Sequence, residues 1–296
     1  MPVVALINPA PQVPHFTHLI RDTFRELGYE PGRNLNYIER WAGGSEDQLR
    51  RDAAELAERK VDAIIAGTSA GVRGAVGASR TIPIVAVDME SDPVTNGWAA
   101  SLAKPGGNVT GFFLDLPELS GKRLEQVKEL VPRLSRVAVL YDALLDPAPI
   151  RAMETSARSL GLSVVMLRVR RPGELSGAFG TAVRKRAQAV LMMPSPMLEV
   201  SASQIADLAV KHRLPLAGAF PSLADVGFLY TYGPNVDDLV RRSIVYVDRI
   251  LKGERPDNLP IQRPAKFDFV LNTKTAAAIG IKFPQTFFLQ ADRVIK

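Results

Sequence analysis

The chain has 296 residues, with 37 Lys and Arg against 31 Asp and Glu for a formal charge of +6; 46% of residues are hydrophobic and 23% charged. That length suits about two domains and that composition a globular fold rather than a disordered one, and no apolar run reaches the roughly 18 residues of a membrane span. With no cysteine and three histidines (His15, His18 and His212), disulfides, thiolate metal ligands and a cysteine nucleophile are excluded, and a multi-histidine metal site is disfavoured.

The chain starts Met1-Pro2 and enters an apolar strand at once, with no cleavable signal peptide ahead of it. The expectation is either a cytoplasmic protein or one whose leader has been removed, Met1 then being an addition. In chain order the apolar runs predict strands at Val3–Ile7, Ala63–Ala66, Ile84–Val87, Val109–Leu114, Val137–Tyr141, Val164–Val169, Ala189–Met193, Phe228–Tyr232 and Phe267–Leu271. Most are uniformly apolar, as strands covered on both faces are. Helical periodicity links them: Phe16, Leu19, Ile20, Phe24 and Leu27 share one face early on, and Val240, Ile244, Val247 and Leu251 share another late in the chain. Gly28 and Gly161 stand where helix ends belong. Alternation of this kind predicts an α/β fold with parallel sheets and crossover helices.

The chain also resembles itself. The segment from Val3 to Gly28 parallels that from Val137 to Gly161. Lys60-Val61-Asp62-Ala63 parallels Arg186-Ala187-Gln188-Ala189, and Arg80-Thr81-Ile82-Pro83-Ile84 parallels His212-Arg213-Leu214-Pro215-Leu216. Three landmarks in one order predict two lobes of a single topology. Lys104-Pro105-Gly106-Gly107-Asn108 and Tyr232-Gly233-Pro234-Asn235 read as tight turns, and Gly253 to Pro264 as a connecting segment. Three such connections let the chain cross between lobes as a hinge does.

Ligands of open parallel sheets bind beyond the carboxyl ends of the strands. The loops so placed are Asn8–Gln12, Gly67–Gly71 and Asp88–Ser91 in the first half, and Asp142–Asp146, Pro194–Met197 and Ala217–Pro221 in the second. Gly67-Thr68-Ser69-Ala70-Gly71 follows a strand and opens a helix, so its N–H groups and two hydroxyls suit an anion, or simply a helix cap by Thr68 or Ser69. Asp88, Glu90, Asp92 and Asp142 are candidates to accept hydrogen bonds from an ammonium, with Asp92, before Pro93, the best candidate for a cap. Phe220, Tyr141 and Tyr232 lie in or beside these loops and offer stacking surfaces.

Two basic clusters, Arg168, Arg170 and Arg171 and then Arg184, Lys185 and Arg186, read as a solvated face or as a patch for a protein or anionic headgroups. No basic stripe with interleaved aromatics occurs, so nucleic acid is not an expected partner. The glycines at 67, 71 and 74 match neither a P-loop nor G-x-G-x-x-G, and no cofactor or metal is expected. The same loop does spell G-x-S-x-G, the nucleophile elbow of α/β-hydrolases, with Ser69 as nucleophile. Only His212 lies downstream to serve it, and it sits at a helix end before the Leu214-Pro215 strand.

Several segments carry a family resemblance. They include Phe24-Arg25-Glu26-Leu27-Gly28-Tyr29, Ser91-Asp92-Pro93-Val94, Lys104-Pro105-Gly106-Gly107-Asn108-Val109-Thr110-Gly111, Glu118-Leu119-Ser120-Gly121-Lys122-Arg123-Leu124, Tyr232-Gly233-Pro234-Asn235 and Leu271-Asn272-Thr273-Lys274-Thr275-Ala276. Nearly end to end, the chain resembles the substrate-binding proteins of ABC transporters with the type I periplasmic-binding-protein fold, in the branch that includes tryptophan- and tyrosine-binding members. The resemblance implies two Rossmann-like lobes with parallel sheets joined by a three-segment hinge, lobe 1 being residues 1–115 with 232–263 and lobe 2 residues 116–231 with 264–296. It implies no catalysis, an ABC permease as partner, and a periplasmic or otherwise extracytoplasmic protein that meets the membrane only through the permease or a lost anchor. The leader typical of the family is not in this sequence, which reads as a mature form.

By the same resemblance the ligand lies between the lobes, touching the loops around Asn8, Gly67–Ala70, Asp88–Ser91, Asp142, Ser195 and Phe220. Several family members carry proline where this chain has Ser69, a change that adds a donor. The expected ligand is a small carboxylate-bearing molecule, an amino acid of aromatic or branched kind or an aromatic acid. Thr68, Ser69 and Ala70 would hold its carboxylate, Asp88, Glu90 or Asp142 any ammonium, and Phe220 and Tyr141 its side chain. A ligand-sensing domain that feeds a signalling partner is the other binding alternative.

Overall fold

The structure, a computed structural model, describes residues 1–296 except 115, 144 and 146, and side chains except also those of 116, 117 and 148. The first part of the chain runs β1 (Val3–Asn8), α1 (Pro14–Glu26), β2 (Asn36–Trp41), α2 (Glu46–Glu58), β3 (Ala63–Ala66), α3 (Thr68–Ala78), β4 (Ile84–Met89) and β5 (Val109–Phe113). It continues with α4 (Leu116–Leu130), β6 (Arg136–Asp142), α5 (Pro147–Ser159), β7 (Ser163–Val169), α6 (Leu175–Arg184), β8 (Ala189–Met192), α7 (Pro196–Val200), α8 (Ala202–Lys211), β9 (Leu216–Gly218), α9 (Pro221–Asp225) and β10 (Tyr230–Pro234). Last come α10 (Val236–Leu251), β11 (Phe267–Asn272), α11 (Thr273–Ile279), α12 (Gln285–Gln290) and β12 (Arg293–Ile295).

Two units divide the chain: Met1–Asp115 with Asn235–Ala265, and Leu116–Pro234 with Lys266–Lys296. Unit 1 contains a five-stranded sheet of order β2-β1-β3-β4-β5, all parallel. Unit 2 contains a seven-stranded sheet of order β12-β11-β10-β9-β8-β6-β7. The buried apolar strands carry their helices on both faces, as the sequence pattern demands. In unit 2 one face packs Leu124, Val127 and Met153 on Val139 and Leu191, and the other packs Phe179, Ile205 and Phe228 on Leu140 and Val190. The helix starts have local causes. Ser45 accepts the Gln48 N–H at the head of α2, and Asn235 accepts the Asp238 N–H at the head of α10.

The internal repeat extends to single atoms. The order β7-β6-β8-β9-β10 in unit 2 copies β2-β1-β3-β4-β5 in unit 1. Lys60 and Arg186, paired by the repeat, both take left-handed backbone conformations, at φ 50° and 56°. Two residues on, Asp62 accepts the N–H of Val3 at the start of β1 at 2.7 Å, and Gln188 accepts that of Ser135 ahead of β6 at 2.8 Å. The same turn thus fastens the first strand of each sheet.

The structure differs from the sequence reading in a few places. β2 and β12 are strands that were not expected. Asn36–Trp41 is polar and sits at a sheet edge, where no long apolar run is needed, and Arg293–Ile295 is only three residues long. The strand expected at Leu214-Pro215 runs over Leu216–Gly218 instead. Tyr232-Gly233-Pro234, expected as a turn in lobe 1, completes β10 in unit 2. It is held there by antiparallel pairing with β11, Tyr232 opposite Phe269 and Pro234 opposite Phe267. The chain leaves this sheet at Pro234 and re-enters at Phe267 beside it, so the returning strand has to run the other way.

Gly111 marks the tightest contact within the unit 1 sheet. It takes φ +121°, and a Cβ there would overlap the backbone carbonyl of Ala86 on β4, beside the register shift between the two strands. Replacing Gly111→Ala is expected to cost about 3 kcal/mol, from overpacking against backbone plus a strained φ; the midpoint of urea unfolding measures it.

Candidate functional site

In unit 1, β1 is flanked by β2 on one side and by β3 on the other. The connections that follow β1 and β3 therefore leave on opposite faces of the sheet, the arrangement that favours ligand binding beyond the carboxyl ends of the two strands. Asn8 is the last residue of β1, and its Oδ1 accepts the Ala10 N–H at 2.9 Å. Gly67, between β3 and α3, lies so close that a Cβ would overlap the Asn8 side chain. Thr68 opens α3 at φ 57°, a conformation that costs a β-branched residue about 1–3 kcal/mol. Its N–H donates to Asp88 Oδ1 at 2.7 Å, and its Oγ1 accepts from the Ala70 N–H at 3.2 Å.

Ser69 is buried and closes the other half of this network. Its N–H donates to Glu90 Oε2 at 2.7 Å, while its Oγ accepts the N–H groups of Glu90 at 3.0 Å and Ser91 at 2.8 Å. The first two N–H groups of α3 are thus satisfied by carboxylates from β4 and the residue after it, an arrangement the helix dipole favours. Those N–H groups, expected to face a ligand carboxylate, are hydrogen-bonded within the chain instead. Asp88 belongs to β4 itself rather than to the loop, and Asp92 caps the next turn by accepting from Val94 at 2.8 Å.

Burial pushes the Glu90 carboxyl above its usual range, against the pull of the Ser69 hydrogen bonds and the Arg73 charge. The nucleophile reading of Ser69 meets a specific obstacle, because its hydroxyl already accepts two backbone N–H groups and bonds to no histidine. His15 pairs with Asp237 and His212 stacks on Phe179.

Unit 2 repeats the geometry with different side chains. β6 lies between β7 and β8, and Tyr141 and Asp142 are its last residues. Ser195, at the head of α7 beyond β8, donates its hydroxyl to Asp142 Oδ2 at 2.7 Å, with both residues under 10% exposed. Phe220 heads α9 beyond β9 and rests half-buried against the core that includes Leu223 and Phe228. Tyr141 and Tyr232 pack on the opposite core, and the Tyr232 ring stacks on Phe267 with centroids 5.7 Å apart. Positions 144 and 146 of the expected Asp142–Asp146 loop lie outside the described residues. The ten expected residues therefore form two groups, Asn8, Thr68, Ser69, Ala70, Asp88 and Glu90 in unit 1 and Tyr141, Asp142, Ser195 and Phe220 in unit 2.

One charged residue was not singled out from the sequence. Arg123 on α4 is 1% exposed, and burial lowers its pKa to about 10. The signal was present: Leu119, Arg123, Val127 and Leu130 fall on one apolar helical stripe, so the arginine occupies a core position.

Residues 7–295 match the sequence profile of the ABC transporter substrate binding protein family. The chain belongs to that family. Over 262 residues the binding protein is 25% identical to a tyrosine-binding protein of Clostridioides difficile (strain R20291), covering 87% of this chain and 74% of the relative. Among solved structures it is similar to a conserved domain protein from Vibrio cholerae, with TM-score 0.89, 22% identity and 99% of each chain covered. It is equally similar to an ABC domain in complex with L-Trp from Streptococcus pneumoniae, with TM-score 0.89, 20% identity and 99% of each chain covered. The two parallel-sheet α/β units have the type I periplasmic-binding-protein fold.

Two outcomes follow for the acidic network in unit 1. Ser69→Ala leaves two N–H groups of a buried turn without an acceptor and is expected to cost about 2–3 kcal/mol in chemical unfolding. Glu90→Gln is expected to melt at or above the native chain at pH 8, because the fold disfavours the ionised carboxyl. That difference should shrink as pH falls through the raised pKa and Glu90 becomes neutral; melting curves from pH 4 to 8 check the sign.

Proposed function

We propose that this binding protein captures an amino acid, aromatic or branched, outside the cytoplasm and delivers it to an ABC permease. The observation that carries the reading is the family membership together with the tyrosine-binding relative and the L-Trp-bound structure of the same fold. The chemistry of the carboxyl edges supports it. Unit 1 would contribute Asn8, the Thr68–Ala70 turn, Asp88 and Glu90, and unit 2 would contribute Tyr141, Asp142, Ser195 and Phe220. An ionised carboxylate has about four lone-pair positions, so Asp142 can keep its Ser195 bond and accept an ammonium N–H as well. Tyr141 and Phe220, both partly exposed, offer aromatic faces to an apolar side chain. A ligand whose contacts exist in only one of two conformations shifts the population by that differential affinity, and the permease reads the shift.

Calorimetry tests this directly. L-Tyrosine or L-tryptophan should bind with micromolar affinity, corresponding to about −8 kcal/mol, whereas galactose should give no heat. Asp142→Asn keeps an acceptor for Ser195 but loses the charge, and should weaken the amino acid at least about tenfold. The analogue without its amine should bind both forms alike. No response to any amino acid would sink the ligand class.

A further inference from the structure

Arg123 lies midway along α4 with 1% of its surface exposed, and among the described residues neither Nη1 nor Nη2 has a hydrogen-bond partner. Only Nε is engaged, donating to the carbonyl oxygen of Leu119 at 3.3 Å. A guanidinium taken out of water without a carboxylate is costly, and folds retain one where something else meets it. Two further polar atoms of α4 are likewise unpartnered, Ser120 Oγ one turn ahead and Gln126 Oε1 one turn behind, on side chains no more than 5% exposed. Among the described residues no other buried cation is left in this state.

Its position relative to the sheet indicates what it meets. A short connection joins the end of α4 to the start of β6, so the head of the helix lies toward the carboxyl edge of sheet 2, where Asp142 and Ser195 stand. The Tyr230 hydroxyl donates to the Arg123 carbonyl at 3.0 Å. Through the registers of β10, β9, β8 and β6, Tyr230 is level with Val139, three residues short of Asp142. The bond to Leu119 then draws the guanidinium a further turn toward that edge. In unit 1 the N–H groups able to receive an anion are held by Asp88 and Glu90.

We propose that Arg123 binds the carboxylate of the ligand through its two Nη atoms, with the Ser120 hydroxyl as an additional donor. The inference rests on the amino-acid reading above and assigns the anionic end of the ligand to unit 2. The planar fork of an arginine matches a carboxylate with two parallel hydrogen bonds, which a lysine cannot reproduce. A guanidinium so deeply covered meets a ligand only when the segments over it shift, so carboxylate binding is coupled to a conformational change.

The experiment is calorimetry and thermal melting of the full chain with L-tyrosine, L-tryptophan and their carboxamides. Arg123→Met should bind the amino acids about 100-fold or more weakly, since it deletes a desolvated ion pair. Its own melting temperature without ligand should hold or rise, because an unpaired buried charge is gone, an outcome that a structural role for Arg123 would not produce. The carboxamides should bind the native chain as weakly as the amino acids bind Arg123→Met, and the variant should lose nothing more on the same change. Arg123→Lys keeps the charge without the fork and should fall between the two. Native-like affinity in Arg123→Met, or a native chain that does not distinguish acid from amide, overturns the assignment while leaving the amino-acid reading in place. A drop of more than about 5 °C in the unliganded melting temperature of the Met and Lys variants alike, roughly a kilocalorie per mole or more for a chain this size, also overturns it. A native chain that binds neither amino acid overturns both.

Discussion

A helix that starts beyond a parallel strand presents N–H groups with no partners in the helix, and something at the sheet's carboxyl edge has to accept them. In unit 1 the acceptors are the carboxylates of Asp88 and Glu90. That choice ties β3, α3 and β4 together and places two acids at the carboxyl end of β4. It also explains Thr68: its left-handed backbone turns its N–H toward Asp88, and the hydrogen bonds around it offset the strain. The buried Ser69 hydroxyl completes the arrangement by accepting the next two N–H groups of the β4 connection.

Unit 2 carries a different arrangement at the same edge. Asp142 and Ser195 occupy the positions that Asn8 and the Gly67 turn occupy in the first repeat, and they bond directly to each other. The duplicated scaffold is therefore chemically asymmetric, with acids saturating a helix end in one unit and, in the other, a buried guanidinium whose Nη atoms have no partner among the described residues. The scaffold itself is held by elements that do not differ between the repeats, such as the turn in which Asp62 or Gln188 fastens the first strand.

Much of the fold was legible because buried parallel strands read as unbroken apolar runs. The ends of Ala63–Ala66, Ile84–Met89 and Arg136–Asp142 fall within two residues of where the runs begin and stop. β2 escaped because Asn36–Trp41 is an edge strand held by β1, and its own residues carry little apolar signal. Tyr232–Pro234 escaped because its glycine and proline are turn formers by local propensity, while antiparallel pairing with β11 holds them extended. The carboxyl-edge rule picked out Asn8, Asp88, Glu90, Asp142, Ser195 and Phe220 from strand positions, and the structure has them at or just beyond strand ends. It could not assign their bonds. Whether Ser69 faces a ligand or Glu90 depends on contacts across 21 positions, set by the register of β3 on β4.

What the sequence determined by itself was therefore the alternation of strands and helices, their duplication and the loops that gather at the strand ends, because each follows from local periodicity and spacing. Tertiary structure alone decided which of those polar groups are spent on the fold and which are not. The N–H groups of Thr68 and Ser69 are spent on Asp88 and Glu90, whereas the Nη atoms of Arg123 have no partner among the described residues. That division depends on burial and on distances between residues far apart in sequence, and neither is a property of any short segment.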